Sequence, residues 1–93
     1  MQRGYKKMKV YITQSYFEGE EGNEETLEVY STLAAAQSRF NELKDIWNDY
    51  FEIDTDDCEI TEINEENELY YHIEQPMLFD TITISVIERE VKQ

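Results

Sequence analysis

The sequence predicts an α+β domain in the order ββαβββ, an antiparallel sheet with one amphipathic helix laid on one face. Three observations carry this prediction. From Ser31 to Tyr50, the residues Leu33, Ala36, Phe40, Leu43, Trp47 and Tyr50 fall at alternating steps of three and four, which draws one stripe down an α-helix. On either side of that segment, shorter runs alternate apolar and polar residues with period two, the repeat of a strand with one buried face. Clusters of Gly, Asn and Pro break those runs at intervals that suit turns.

The first seven residues, MQRGYKK, hold three bases and no periodicity, and Met8 begins the first alternating run. They read as a flexible basic tail on a single domain spanning residues 8–93. Met8, Val10 and Ile12 lie on one face of the first strand and Tyr11 and Thr13 on the other, with Tyr16 and Phe17 closing it. Glu18 to Glu25, EGEEGNEE, reads as a charged turn. Leu27 and Val29 then resume alternation, so the expected unit is a hairpin with a loop longer than two residues.

Ser31 or Thr32 supplies the N-cap of the helix, since a hydroxyl there accepts from an N–H that the first turn leaves unsatisfied. Ala34, Ala35 and Ala36 favour helix propagation and close approach to a sheet. At the other end, Asp45, Asp49 and Glu52 face the negative end of the helix dipole, each at a cost of about 0.3–1 kcal/mol. Helix stability alone does not select acids there.

Phe51 to Asp57 reads as the connection to a third strand marked by Cys58, Ile60 and Ile63, whose change of parity suggests a bulge. Asn64 to Asn67 is a turn. Leu69, Tyr71 and Ile73 share one face of the fourth strand, Tyr70, His72 and Glu74 the other. Gln75 to Asp80 contains the single proline and reads as a loop, its Pro76-Met77-Leu78-Phe79 either an exposed apolar contact or folded back over the helix end. Ile82, Ile84 and Val86 alternate through the last strand, Thr81 to Val91.

The composition bounds function. Ninety-three residues make one modest core, and 40% apolar with 13% aromatic residues is enough to fold one. Cys58 is the only cysteine, which excludes an intramolecular disulfide and fits a reducing cytoplasm. No apolar run reaches membrane-spanning length. The formal net charge is −14, from eight bases and twenty-two acids, and no base occurs from Asp45 to Glu88. Such a field repels nucleic acid and anionic lipid and attracts basic protein surfaces.

Motifs for chemistry are weak. Counted from Asp54, the run DTDDCE places Cys58 and Glu59 where a calcium loop needs an oxygen ligand and a glycine. His72 has no nucleophile or carboxylate singled out by spacing, and the acids around Cys58 disfavour a thiolate. Nucleotide-binding, zinc-protease and hydrolase signatures do not occur. No catalytic residue, cofactor or metal is therefore expected. The abundance of carboxylates and tyrosines instead suits a protein-binding surface of amphipathic anchors set among charges.

In small size and charge balance the chain resembles the DNA-mimic inhibitors encoded by phages and other mobile elements, some of which block restriction or CRISPR nucleases. That resemblance implies a non-enzymatic cytoplasmic decoy in the basic groove of a nucleic-acid-binding enzyme, with no nucleic acid or membrane bound directly. The residues expected at the interface are Asp49, Glu52, Asp54, Asp56, Asp57, Glu59, Glu62, Glu65, Glu66, Glu68 and Tyr70. The alternative expectation is an accessory or assembly protein that pairs with a second copy through its sheet, its acidity serving solubility.

Overall fold

A computed structural model describes residues 7–20, 22–51, 58–65, 68–77 and 79–92. The elements are β1 (Lys7–Gly19), β2 (Gly22–Tyr30), α1 (Leu33–Phe51), β3 (Glu59–Glu65), β4 (Glu68–Gln75) and β5 (Asp80–Lys92). The order is ββαβββ, as the sequence predicts. All strands pair antiparallel in one sheet of order β2-β1-β5-β4-β3. The first and last strands are thus central neighbours, in register from Lys7 opposite Lys92 to Glu18 opposite Thr81. β1 begins at Lys7, and the rest of the segment expected to be a tail lies outside the described residues.

Helix α1 crosses one face. Thr32 caps it as expected, its hydroxyl accepting from the Ala35 N–H at 3.2 Å. Ala36, Phe40, Leu43 and Phe51 are its buried residues, and the last three form one core cluster with Leu69, Tyr71 and Ile73 of β4 and Ile82 and Ile84 of β5. The stripe therefore ends on Phe51 rather than Tyr50: Phe51 is buried within the helix, while Tyr50 is about half exposed.

Two contacts fix the two halves of the helix. Near its start, Ala36 brings the backbone close enough for the buried Thr13 hydroxyl to donate to the Ala36 carbonyl at 3.0 Å. Beside it the Ser15 and Thr26 hydroxyls bond to each other, so the polar groups in this part of the core are satisfied. Near its end, Trp47 stacks on Phe17 of β1 with centroids 5.0 Å apart, and Tyr50 and Phe51 complete an aromatic cluster. Lys44 lies over the Tyr71 ring at 4.9 Å and pairs with Glu62. Burial raises the Tyr71 phenol above its ordinary pKa, partly offset by its hydrogen bond to Asn48.

Two expectations change, and one open alternative is decided. The β1–β2 hairpin is tight: pairing continues to Gly19 opposite Gly22, with only two positions between them along the chain. Gly22 has φ +143°, and a Cβ on Gly19 would lie 2.8 Å from an Asp80 carboxylate oxygen, so both glycines serve the close turn. β3 has no bulge: Ile60 opposes Ile73 and Ile63 opposes Tyr70 in unbroken register, so the two isoleucines occupy opposite faces. Of the two alternatives for the turn after β4, the exposed one is found at Met77 and Phe79, which are 81% and 74% exposed, while Leu78 lies outside the described residues. Phe79 has φ 58°, left-handed backbone that a bulky side chain rarely adopts.

Burial of the stripe sets the stability. Phe40→Ala, at 1% exposure, is expected to cost about 3–5 kcal/mol in urea unfolding. Leu33→Ala, on the exposed edge of the same stripe, is expected to cost under about 1 kcal/mol. Equal costs would mean that the helix is rotated from this packing.

Candidate protein-binding surface

The helix leaves the other sheet face uncovered. The registers align its outward residues in rows across the strands. One row reads Asn23, Glu18, Thr81, Glu74 and Glu59, and the next reads Glu25, Tyr16, Thr83, His72 and Thr61. The third reads Leu27, Gln14, Ser85, Tyr70 and Ile63. Beyond it lie Val29, Ile12 and Ile87, then Val10 and Arg89, then Met8 and Val91. Along β2, β1 and β5 the face thus grades from carboxylates at the β1–β2 hairpin end to aliphatic side chains at the other, while on β3 and β4 the Glu65–Glu68 pair lies one row beyond Ile63 and Tyr70, level with Ile12 and Ile87. Rows are about 6.7 Å apart along the strands and neighbours within a row about 4.8 Å apart.

Two like-charge pairs stand directly opposite across the β3–β4 ladder, Glu59 with Glu74 and Glu65 with Glu68. Such pairs are destabilising by a few tenths of a kcal/mol each. The described bases relieve neither. Lys9 pairs with Glu88 at 3.7 Å, Arg39 with Glu28 at 2.7 Å and Glu42 at 3.7 Å, and Lys44 with Glu62, all on the helix side. Among residues whose side chains are described, Arg89 is the only Lys or Arg on the uncovered face.

The residues expected at the interface are divided by this geometry. Glu59, Glu65, Glu68 and Tyr70 share the uncovered face. Glu62 does not: it opposes Tyr71 on the helix side and is neutralised by Lys44. Asp49 is exposed in the last turn of α1, which contains no base. Glu52, Asp54, Asp56, Asp57 and Glu66 lie outside the described residues, as does most of the calcium-loop candidate. Sheet order adds Glu74, which the sequence reading did not single out, and brings Glu18 and Glu25, from the charged Glu18–Glu25 segment that reading also favoured for the interface, onto the same face. Strand parity marked Glu74 as facing away from Tyr71, and only the pairing of β1 with β5 brings Glu18 into its row.

The polar groups between the two zones are ordered. His72 Nδ1 lies 2.8 Å from the Thr83 hydroxyl, and its ring stacks on Tyr70 with centroids 6.4 Å apart. Partial desolvation and then the Glu18 carboxylate raise the Tyr16 phenol above its ordinary pKa, so it remains a neutral donor. Cys58 Sγ is 3.8 Å from the Phe51 carbonyl and packs against the core. Among the described residues, no group of three His, Cys, Asp or Glu is arranged to hold a metal, and no helix is long and apolar enough to cross a membrane. An open depression of about 210 Å³ lies at the hairpin end, lined by Phe17, Gly22, Asn23 and Glu24.

The geometry identifies an acid whose removal relieves repulsion. Glu74→Lys places a cation opposite Glu59 and is expected to raise stability by about 0.2–1 kcal/mol at low salt. The gain should shrink at about 1 M salt, where screening reaches only about 3 Å. Urea unfolding at both ionic strengths measures it, and a loss at low salt would contradict the assigned pairing.

In comparisons with protein-family models, with curated proteins and with solved structures, nothing matches this chain.

Proposed function

We propose that this protein is a non-enzymatic binding module whose uncovered, carboxylate-bearing sheet face engages a basic protein surface. One observation carries the reading: bases on the helix side are paired with acids, while Glu18, Glu25, Glu59, Glu65, Glu68 and Glu74 share the other face with Arg89. Like charges placed opposite each other cost stability, so a surface kept for solubility alone would intersperse the two signs. In the specific form of this proposal, the face is a decoy of the phage or mobile-element kind. It sits in the nucleic-acid groove of an enzyme, with carboxylates in place of phosphates and Tyr16 and Tyr70 as anchors. A cytoplasmic location accords with the lone cysteine and with such a partner.

A second reading has its own observation. Leu27 and Val29 are 57% and 58% exposed beside Ile12, Val10 and Ile87, an aliphatic zone that suits an assembly contact with another chain. An accessory protein using that zone would bind in a way that salt scarcely affects.

Capture from nuclease-treated lysate separates the two. For the decoy, a single nucleic-acid-binding protein should be retained at low salt, released at high salt and displaced by duplex DNA. Glu18→Lys with Glu74→Lys should abolish capture while leaving the far-ultraviolet circular dichroism unchanged. Retention through salt and DNA, with both substitutions tolerated, would reject the decoy and favour assembly.

A further inference from the structure

The two ends of the long β1–β5 pair are chemically opposite. β2 reaches only to Tyr30 opposite Tyr11, and β4 only to Leu69 opposite Val86. Lys7–Val10 and Arg89–Lys92 therefore continue as a two-stranded ribbon beyond their neighbours among the described residues. By sequence that ribbon holds Lys7, Lys9, Arg89 and Lys92 with Glu90, Lys9 being paired with Glu88 just behind it, and it presents Met8 and Val91, each 42% exposed. Because the chain pairs its first strand with its last, the fold gathers bases that lie at opposite ends of the sequence.

At the other end are the tips of the β1–β2 and β4–β5 hairpins. These are adjacent, as the short approach of Gly19 to the Asp80 carboxylate shows. They carry Glu18, Glu20, Glu24 and Asp80 with the exposed Met77 and Phe79, and no described residue of either tip is Lys or Arg. By sequence, ribbon residues 7–10 and 89–92 sum to +3 in a chain of net charge −14. A thirteen-residue β1 separates the ends by about 40 Å.

We infer that the protein associates with itself head to tail, the basic ribbon of one copy seating on the acidic hairpin tips of the next. Each end supplies what the other lacks: cations for Glu20, Glu24 and Asp80, and Met8 and Val91 for Met77 and Phe79. A second copy fits because both halves of the contact are on this one chain. The contact is heterologous, so assembly continues into a ring or a filament instead of stopping at a two-fold dimer. At about 0.1 M salt the screening length is about 10 Å, well below the roughly 40 Å between successive bodies, so repulsion between bodies is damped while charges in contact still attract. This inference uses the ends of the sheet; it shares Glu18, Arg89, Met8 and Val91 with the uncovered face but does not need that face to bind a basic partner.

Sedimentation velocity across a concentration series tests it. Mass should rise with concentration at about 0.1 M salt and fall back towards monomer at about 1 M. Lys7→Glu with Arg89→Glu, or Glu20→Lys with Glu24→Lys, should each weaken association about tenfold or more. All four together should restore it, a recovery that misfolded variants would not give. The tip reversal also lowers the net negative charge, so stronger association in that variant would overturn the inference. A monomer at every concentration would overturn it too, as would a dimer that ignores both pairs of reversals or a ribbon that binds duplex DNA without self-association.

Discussion

The rest of the structure depends on one helix covering one face of five strands. A nineteen-residue helix is about 28 Å long and about 10 Å across. The sheet it crosses is about 24 Å wide, and its two central strands are about 43 Å long. The helix therefore shields the middle of one face and nothing else. Ala36 and Thr13 hold its start close to β1, and Phe17 with Trp47 and Phe51 hold its end. Every exposed surface considered above is what this arrangement leaves over: the opposite face, the ribbon and the hairpin tips.

The same constraint organises the charges. Bases on the helix side can reach acids both on the helix and on the flanking strands, as Arg39 does between Glu28 and Glu42. Among the described residues, no second layer lies on the uncovered face to contribute a partner. Each cross-strand glutamate pair costs a few tenths of a kcal/mol, a small amount beside the several kcal/mol of burying Phe40, Ile73, Ile82 and Ile84. The core can tolerate those acids, and their retention is a statement about the surface.

The helix and its cap were legible because their signals are local: steps of three and four, and a hydroxyl before three alanines. The five strands were legible from alternation. The tight hairpin was not, because EGEEGNEE has the composition of a longer loop, and only the pairing of Phe17 with Glu24 and Glu18 with Asn23 shows strands running through it. The expected bulge at Ile60 and Ile63 came from assuming that every apolar strand residue faces the core. An uncovered face takes isoleucine too, and Ile63 lies there. The candidate site was half legible. A base-free span of sequence found Glu59, Glu65, Glu68 and Tyr70, but it also took in Glu62, because a linear span crosses both faces of a strand. Glu18 and Glu25 became neighbours of that set through the order β2-β1-β5-β4-β3, which local patterns do not encode.

A face that grades from carboxylate to aliphatic rows selects more sharply than either zone would. Carboxylates alone attract any basic surface, which governs encounter rate and salt response more than specificity. Aliphatic rows alone would hold many apolar surfaces. Placed in succession along β1, they would, on the proposed reading, suit a partner whose cations and apolar groups are separated by about the three rows between Glu18 and Ile12, some 20 Å along the strand. Tyr16, Tyr70 and His72 occupy the interval, each able to meet either kind of neighbour. On the proposed reading, encounter and residence would depend on different rows: charge at Glu18 and Glu74 would govern association rate, and the apolar side chains of Ile12 and Leu27 dissociation.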